Sequence, residues 1–308
     1  MMDGKDRQAR FLGGMVGSAL GDAIGELAFY RPTKTSLLSE VDRQETLIYT
    51  DDTAMALALG QSIAEVGGLD QARLGDTFRD GFLREPWRGY AAGPPTVFAH
   101  VAQYGISYAD AAGMLYGGEG SFGNGAAMRI VPLGLCFHNA PDLYEKARLS
   151  AAVTHAHPIG IDGAAVQAQA VARAVALNPA APFAANDFLQ ALLDAARTPE
   201  MEKKLVAVGR LMDQDAPAQR AAMVLGQDVA VQRSLPFAIF CFLRHPGSFQ
   251  DCLLCTALHG GDRDTLGAMA CAISGAYLGV GGIPKAWREK LENRKAIEDL
   301  ALRLAGLG

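Results

Sequence analysis

Apolar residues recur at three- and four-residue spacing through most of this chain, the period of one helical face. The clearest runs are Ala54 to Ile63, Tyr144 to Val153, Ala164 to Leu177, Phe188 to Ala195 and Ile297 to Leu304. Good helix formers (Ala, Leu, Gln, Arg and Met) dominate them. Convincing alternating runs are absent, and only short apolar pieces such as Ile130 to Leu135 fit either helix or strand. Gly and Pro clusters cut the pattern into helical hairpins at Gly67-Gly68, Gly93-Pro94-Pro95, Gly117-Gly118, Pro179 to Pro182, Pro246-Gly247 and Gly281-Gly282. Asn178 to Asp215 carries the weakest pattern and reads as a peripheral insertion. No fixed-period repeat and no long linker interrupts the sequence, so one compact all-α domain over residues 1–308 is expected.

Composition narrows the partners. The 308 residues are 50% hydrophobic and 20% charged, enough for an ample core. A net charge of −5 argues against electrostatic binding of bare nucleic acid. The charged N-terminal stretch lacks the apolar segment of a signal peptide, and no run is long enough to span a membrane. The expectation is a cytoplasmic protein acting as a monomer. Five cysteines, an odd number, fit reduced thiols. Cys252 and Cys255 form a CxxC, but within an apolar helical pattern they read as buried core residues.

Two segments share one design. Thr50-Asp51-Asp52 opens the run Thr53 to Ala64, and Asp262-Arg263-Asp264-Thr265 follows Gly260-Gly261 and opens a second run through Gly279. Either alone reads as a capped helix, since carboxylates in the first turn favour the macrodipole. Together they present four carboxylates and two hydroxyls ahead of helices with almost no polar surface. Buried carboxylates cost several kcal/mol each unless paired or metal-bound. Too few basic residues adjoin these to pair them all. Hard divalent cations answer the problem, and oxygen-only ligation favours Mg²⁺ or Mn²⁺ over Zn²⁺.

Three further segments are informative. Gly120-Ser121-Phe122-Gly123-Asn124-Gly125 leaves main-chain N–H groups open to an anion or a flat ligand. Tyr116 and Phe122 flank it and could stack a base. Gly13 to Glu26 spaces small residues every three or four positions, which lets another helix approach closely. Asp22 lies inside that apolar helix and needs a buried partner, while Glu26 ends it and could face a cleft. In Thr154-His155-Ala156-His157-Pro158 the two histidines do not share a helix face, so a metal pair is not expected there.

The ordered series GSALGDAIG, YTDDTAMAL, GSFGNGAAMR, THAHPIG and HGGDRDTLGAMACAISGAYLG covers nearly the whole chain and resembles the ADP-ribosylglycohydrolases, which include the dinitrogenase reductase-activating glycohydrolases. The resemblance implies an orthogonal all-α domain around a central pair of Mg²⁺ or Mn²⁺ ions, acting on ADP-ribosylated protein. It implies metal ligation by Thr50, Asp51, Asp52, Asp262, Asp264 and Thr265. Gly120, Ser121, Phe122, Gly123 and Asn124 correspond to the loop around the diphosphate and distal ribose, and Tyr116 and His155 to further ligand contacts. The FGNGAAMR loop, the Arg88-to-Gly93 stretch and the two aromatics look closest to the branch that releases ADP-ribose from serine and trims poly(ADP-ribose). That branch carries a glutamate eight residues after the Gly of its Gly-Asp motif. Here that position is Phe29, so Glu26 becomes the candidate proton-handling acid beside Asp51 and Asp264. The implied chemistry is cleavage of the C1″–O bond through an oxocarbenium-like state. Competing readings are hydrolysis of arginine-linked ADP-ribose, a non-catalytic ADP-ribose-binding or structural member, and a helical metallophosphatase. The last is disfavoured by the lack of His among the candidate ligands.

Overall fold

The computed structural model of the protein describes residues 3–307, and among these it shows helices and no strand. In chain order they are α1 (Gly4–Tyr30), α2 (Lys34–Arg43), α3 (Asp51–Val66), α4 (Gln71–Arg84), α5 (Gly93–Tyr104), α6 (Tyr108–Gly113), α7 (Gly125–Met128), α8 (Val131–Cys136), α9 (Leu143–Ala152), α10 (Pro158–Ala176), α11 (Ala185–Ala195), α12 (Pro199–Asp213), α13 (Ala218–Leu225), α14 (Val231–Arg244), α15 (Phe249–His259), α16 (Arg263–Leu278), α17 (Lys285–Lys290) and α18 (Arg294–Ala305). The all-α expectation holds. The periodic runs fall inside α3, α9, α10, α11 and α18 apart from single end residues, and the ambiguous piece Ile130 to Leu135 contributes helix α8.

Local chemistry explains most boundaries. The Asp3 carboxylate accepts from Asp6 N at 2.7 Å and caps α1. Gly67 closes α3 in the left-handed conformation, φ +67°, where glycine carries no Cβ penalty. Gly93-Pro94-Pro95 begins α5 rather than separating two helices, because proline fits a first turn whose N–H groups have no helical partner.

The centre of the fold is the pair α1 and α16, packed so closely that backbone meets backbone. A Cβ on Gly13 would lie 2.1 Å from Gly275 O, and one on Gly21 would lie 2.1 Å from Gly267 O. Between them Gly17 faces Cys271 O, and Gly25 faces Arg263 O and Asp264 Cα. Four glycines at four-residue spacing thus form one ladder of contact. Arg10, itself buried, closes the far end by donating to the carbonyls of Leu177, Ala276 and Tyr277. Helix α10 packs on α16, where Gln167 Nε2 donates to Met269 O at 2.9 Å. Cys241, Cys252, Cys255 and Cys271 are buried free thiols among these helices.

The segment Asn178 to Asp215 is not peripheral. Its helices α11 and α12 bury Phe188, Leu192, Met201, Leu205, Val208 and Leu211 in the same continuous core. Buried Asp162 on α10 anchors it by accepting from Arg197 N, Thr198 N and Thr198 Oγ1 at 2.6–3.1 Å.

The ladder predicts opposite responses to one substitution type. Gly21→Ala should lower stability by about 3 kcal/mol or more, because neither backbone can yield without shifting a whole helix. Gly81→Ala in α4, where a Cβ meets nothing within 4 Å, should raise it by roughly 0.5–1 kcal/mol. Denaturant unfolding of both variants checks the contrast.

Candidate active site

The two acidic segments open α3 and α16, and the helices bring both to one cavity of about 310 Å³. Asp51, Asp52, Asp262, Asp264 and Thr265 form its acidic wall. Thr50 stands just behind, its hydroxyl 3.3 Å from Asp52 Oδ2, while Thr265 Oγ1 lies 3.4 Å from the same oxygen.

Asp22 explains how α3 is held. It is fully buried in α1 and accepts from Thr50 N, Thr50 Oγ1, Thr53 N and Thr53 Oγ1 at 2.6–3.0 Å. This is the buried partnership its apolar setting required, and it satisfies N–H groups that a helix start leaves open. Thr50 is the N-cap residue, yet its side chain makes no capping bond. The hydroxyl serves Asp22 instead. The main-chain N–H of Asp51 is held separately, donating to Arg88 O at 2.8 Å.

The acids crowd one another. Among the described residues none of Asp22, Asp51, Asp52, Asp262 or Asp264 has a lysine or arginine at ion-pair distance. Burial, then the nearby Asp22 and Asp264, pushes the Asp51 carboxyl up to about 7. Burial and Asp264 push Asp262 to about 6. Burial together with its four acidic neighbours drives Asp52 well above the carboxylate range. Asp52 Oδ1 is buried without a hydrogen-bond partner. Among the described residues no three His, Cys, Asp or Glu side chains stand together as a ready-made ligand cluster. The aspartates share a cavity wall rather than a point.

The glycine loop lines the same cavity through Ser121, Gly123, Asn124 and Gly125. Asn124 N donates to Val229 O and Val231 N donates to Phe122 O, which ties the loop to the segment before α14. Ser121 Oγ accepts from Gly123 N at 3.1 Å. Gly120 sits at φ +76° with no room for a Cβ, which would lie 2.7 Å from His157 N. Asn124 is not free for a ligand on its amide side: Nδ2 donates to Asp262 Oδ2 at 2.6 Å and so joins the loop to the acids. Tyr116, in the left-handed region at φ +53°, reaches the cavity, as does buried His155. Phe122 does not line the cavity; its ring packs edge-on against His157, 5.3 Å between centroids, because His157 is fixed as the N-cap of α10.

Two features went unread in the sequence. Arg129 is fully buried and lines the cavity, its guanidinium 4.5 Å from the Phe78 ring centroid, and among the described residues it has no carboxylate at ion-pair distance. An arginine inside the apolar run AAMRIVPLGL was the available signal. The second is a neighbouring groove of about 730 Å³ that shares Asp51, Asp264 and Gly89 with the cavity. Glu26 lines this groove and not the first, together with exposed Trp87 and Phe29. Burial and Asp264 raise its carboxyl.

The family model for ADP-ribosylglycohydrolase matches residues 3–308. The chain is 34% identical over 336 residues to the Bos taurus protein named ADP-ribosylhydrolase ARH3, covering 96% of this chain and 92% of that one. It is 34% identical over 339 residues to its Homo sapiens namesake, covering 96% and 93%. A solved structure titled ADP-ribosylglycohydrolase-related protein complex superposes with a TM-score of 0.75 at 26% identity, covering 98% of this chain and 99% of that one. The chain belongs to the ADP-ribosylglycohydrolase family and is a hydrolase of that class.

Proposed function

We propose that this protein releases ADP-ribose from serine-linked ADP-ribosylated proteins, with poly(ADP-ribose) and O-acetyl-ADP-ribose as related substrates, and works as one domain. The likeness to proteins named ADP-ribosylhydrolase ARH3 supports this, as does the FGNGAAMR form of the loop. The observation that carries it is the meeting of two acidic helix starts and a glycine loop in one cavity. The cavity is of a size for a nucleotide-like ligand to enter in part.

The residues present fit divalent cations. Among the described residues Asp52 Oδ1 is buried without a hydrogen-bond partner, and the carboxylates repel one another with no lysine or arginine at ion-pair distance. We assign Thr50, Asp51, Asp52, Asp262, Asp264 and Thr265 as the residues that would hold two Mg²⁺ or Mn²⁺ ions. Bound there, such ions supply Lewis acidity and lower the pKa of coordinated water. The chain does the rest. Asp22 fixes the start of α3, and Asn124 fixes Asp262. Gly120, Ser121 and Gly123 shape the loop for the diphosphate, and Tyr116 offers a face for the adenine. Glu26 stands in the adjoining groove on the side where the acceptor leaves. Its raised carboxyl suits it to give a proton to the departing serine oxygen.

Asp51→Asn should abolish most hydrolysis, by about 10²-fold or more. In chelator-treated protein the same change should raise the melting temperature, because one crowded carboxylate is gone. Added Mg²⁺ should stabilise the parent protein more than the variant. Scanning calorimetry with and without Mg²⁺ checks all three arms alongside a turnover assay.

Glu26→Gln should lower kcat on serine-linked ADP-ribose by about 10²–10⁴-fold with little change in KM. Serine-linked, arginine-linked and polymeric substrates compared side by side test the linkage. Faster release from arginine overturns the serine reading.

A further inference from the structure

Deep in the cavity three side chains are joined in series. Arg129 Nη2 donates to Thr154 Oγ1 at 2.7 Å, and Thr154 Oγ1 lies 2.7 Å from His155 Nδ1. All three residues are buried. A guanidinium can only donate, and a threonine hydroxyl has one proton to give. With its oxygen already accepting from Arg129, that proton has a single acceptor within reach among the described residues, His155 Nδ1.

We infer that Arg129 and Thr154 act as positioning residues that lock His155 into one neutral tautomer, so that Nε2 carries the hydrogen and presents a permanent donor to a diphosphate oxygen of the ligand. The inference rests on the reading that this cavity takes ADP-ribose. The ring cannot readily become a cation, since burial and the adjacent guanidinium hold it down to about 3. Its Nε2 has no hydrogen-bond partner within the described protein. The glycine loop faces that nitrogen. A Cβ at Gly125 would come within 3.1 Å of Nε2, and one at Gly123 within 3.6 Å. Both positions therefore keep clear the space into which the N–H points. A donor that cannot reverse suits a phosphate oxygen, which only accepts; a ribose hydroxyl can adapt to either tautomer. Arg129 thereby contributes without touching the ligand. Its charge is held near the diphosphate, and its bond to Thr154 sets the direction of the whole series.

The direct measurement is the tautomer. Long-range ¹H–¹⁵N spectra of histidine-labelled protein with Mg²⁺ should show His155 neutral, protonated at Nε2 and not at Nδ1, with the Nε2 proton shifting when ADP-ribose is added. A ring protonated at Nδ1, or at both nitrogens, overturns the proposal whatever the variants do. For binding, His155→Phe should weaken ADP-ribose about tenfold or more, the scale of a lost hydrogen bond to a charged acceptor. His155→Gln, whose amide nitrogen falls near the place of Nε2, should recover most of that loss. Thr154→Val should weaken binding and move the Nδ1 resonance, and Thr154→Ser should restore both. Adenosine, which lacks phosphate, should bind all of these alike. Equal ADP-ribose affinity for the parent and His155→Phe would sink the donor role. Failure of the parent protein to bind ADP-ribose would instead overturn the reading of the cavity, while the spectrum still decides the tautomer.

Discussion

The distance between α1 and α16 is set by main chain, not by side chains, and the site inherits that distance. Gly13, Gly17, Gly21 and Gly25 bring the two backbones into contact along a little more than three turns. The last rung, Gly25 against Arg263 and Asp264, lies at the start of α16. Asp22 and Glu26 flank that rung on α1. A pair of helices spaced by leucines could breathe by rotamer changes; a pair in backbone contact has two discrete options, seated or not. The acids at its end are held in register accordingly.

A second constraint follows from charge. Five carboxylates without basic partners are unfavourable in a core, and sequences rarely keep such an arrangement for stability alone. Asp22 is the exception that shows the rule: four donor groups on two threonines satisfy it, so it serves the scaffold. Asp51, Asp52 and Asp264 have no such set of donors from the chain. The division between a structural aspartate and the ligand candidates is thus visible in how many protein donors each one collects.

Much of the fold was legible because it rests on local pattern. Helices showed through their period, and the close approach of some other helix to Gly13–Glu26 through the spacing of small residues. The acidic segments could be paired because each preceded a helix too apolar to be exposed. What escaped reading depended on contacts distant in sequence. Phe122 is drawn to His157, and Asn124 to Asp262 across 138 positions, neither of which any periodicity encodes. The burial of Asn178 to Asp215 is a different case. Met201, Leu205, Val208 and Leu211 stand at helical spacing, so the signal was present but diluted by the charges between them. The roles of Arg129 and Thr154 needed hydrogen-bond geometry, because a proton's place on an imidazole has no trace in composition.

The Arg10 bond to Tyr277 spans 267 positions, and the ladder of glycines spans nearly as many. Helix α1 therefore finds its main partner, α16, only after all the residues between them have been made. At about 5–20 residues per second, a ribosome takes on the order of ten seconds or more to reach α16. Through that interval α1 has its close-packing face uncovered, and every contact that seats it carries the entropy of closing a very long loop. The acidic cavity needs residues from both helix starts, so during synthesis it cannot be complete before α16 has been made.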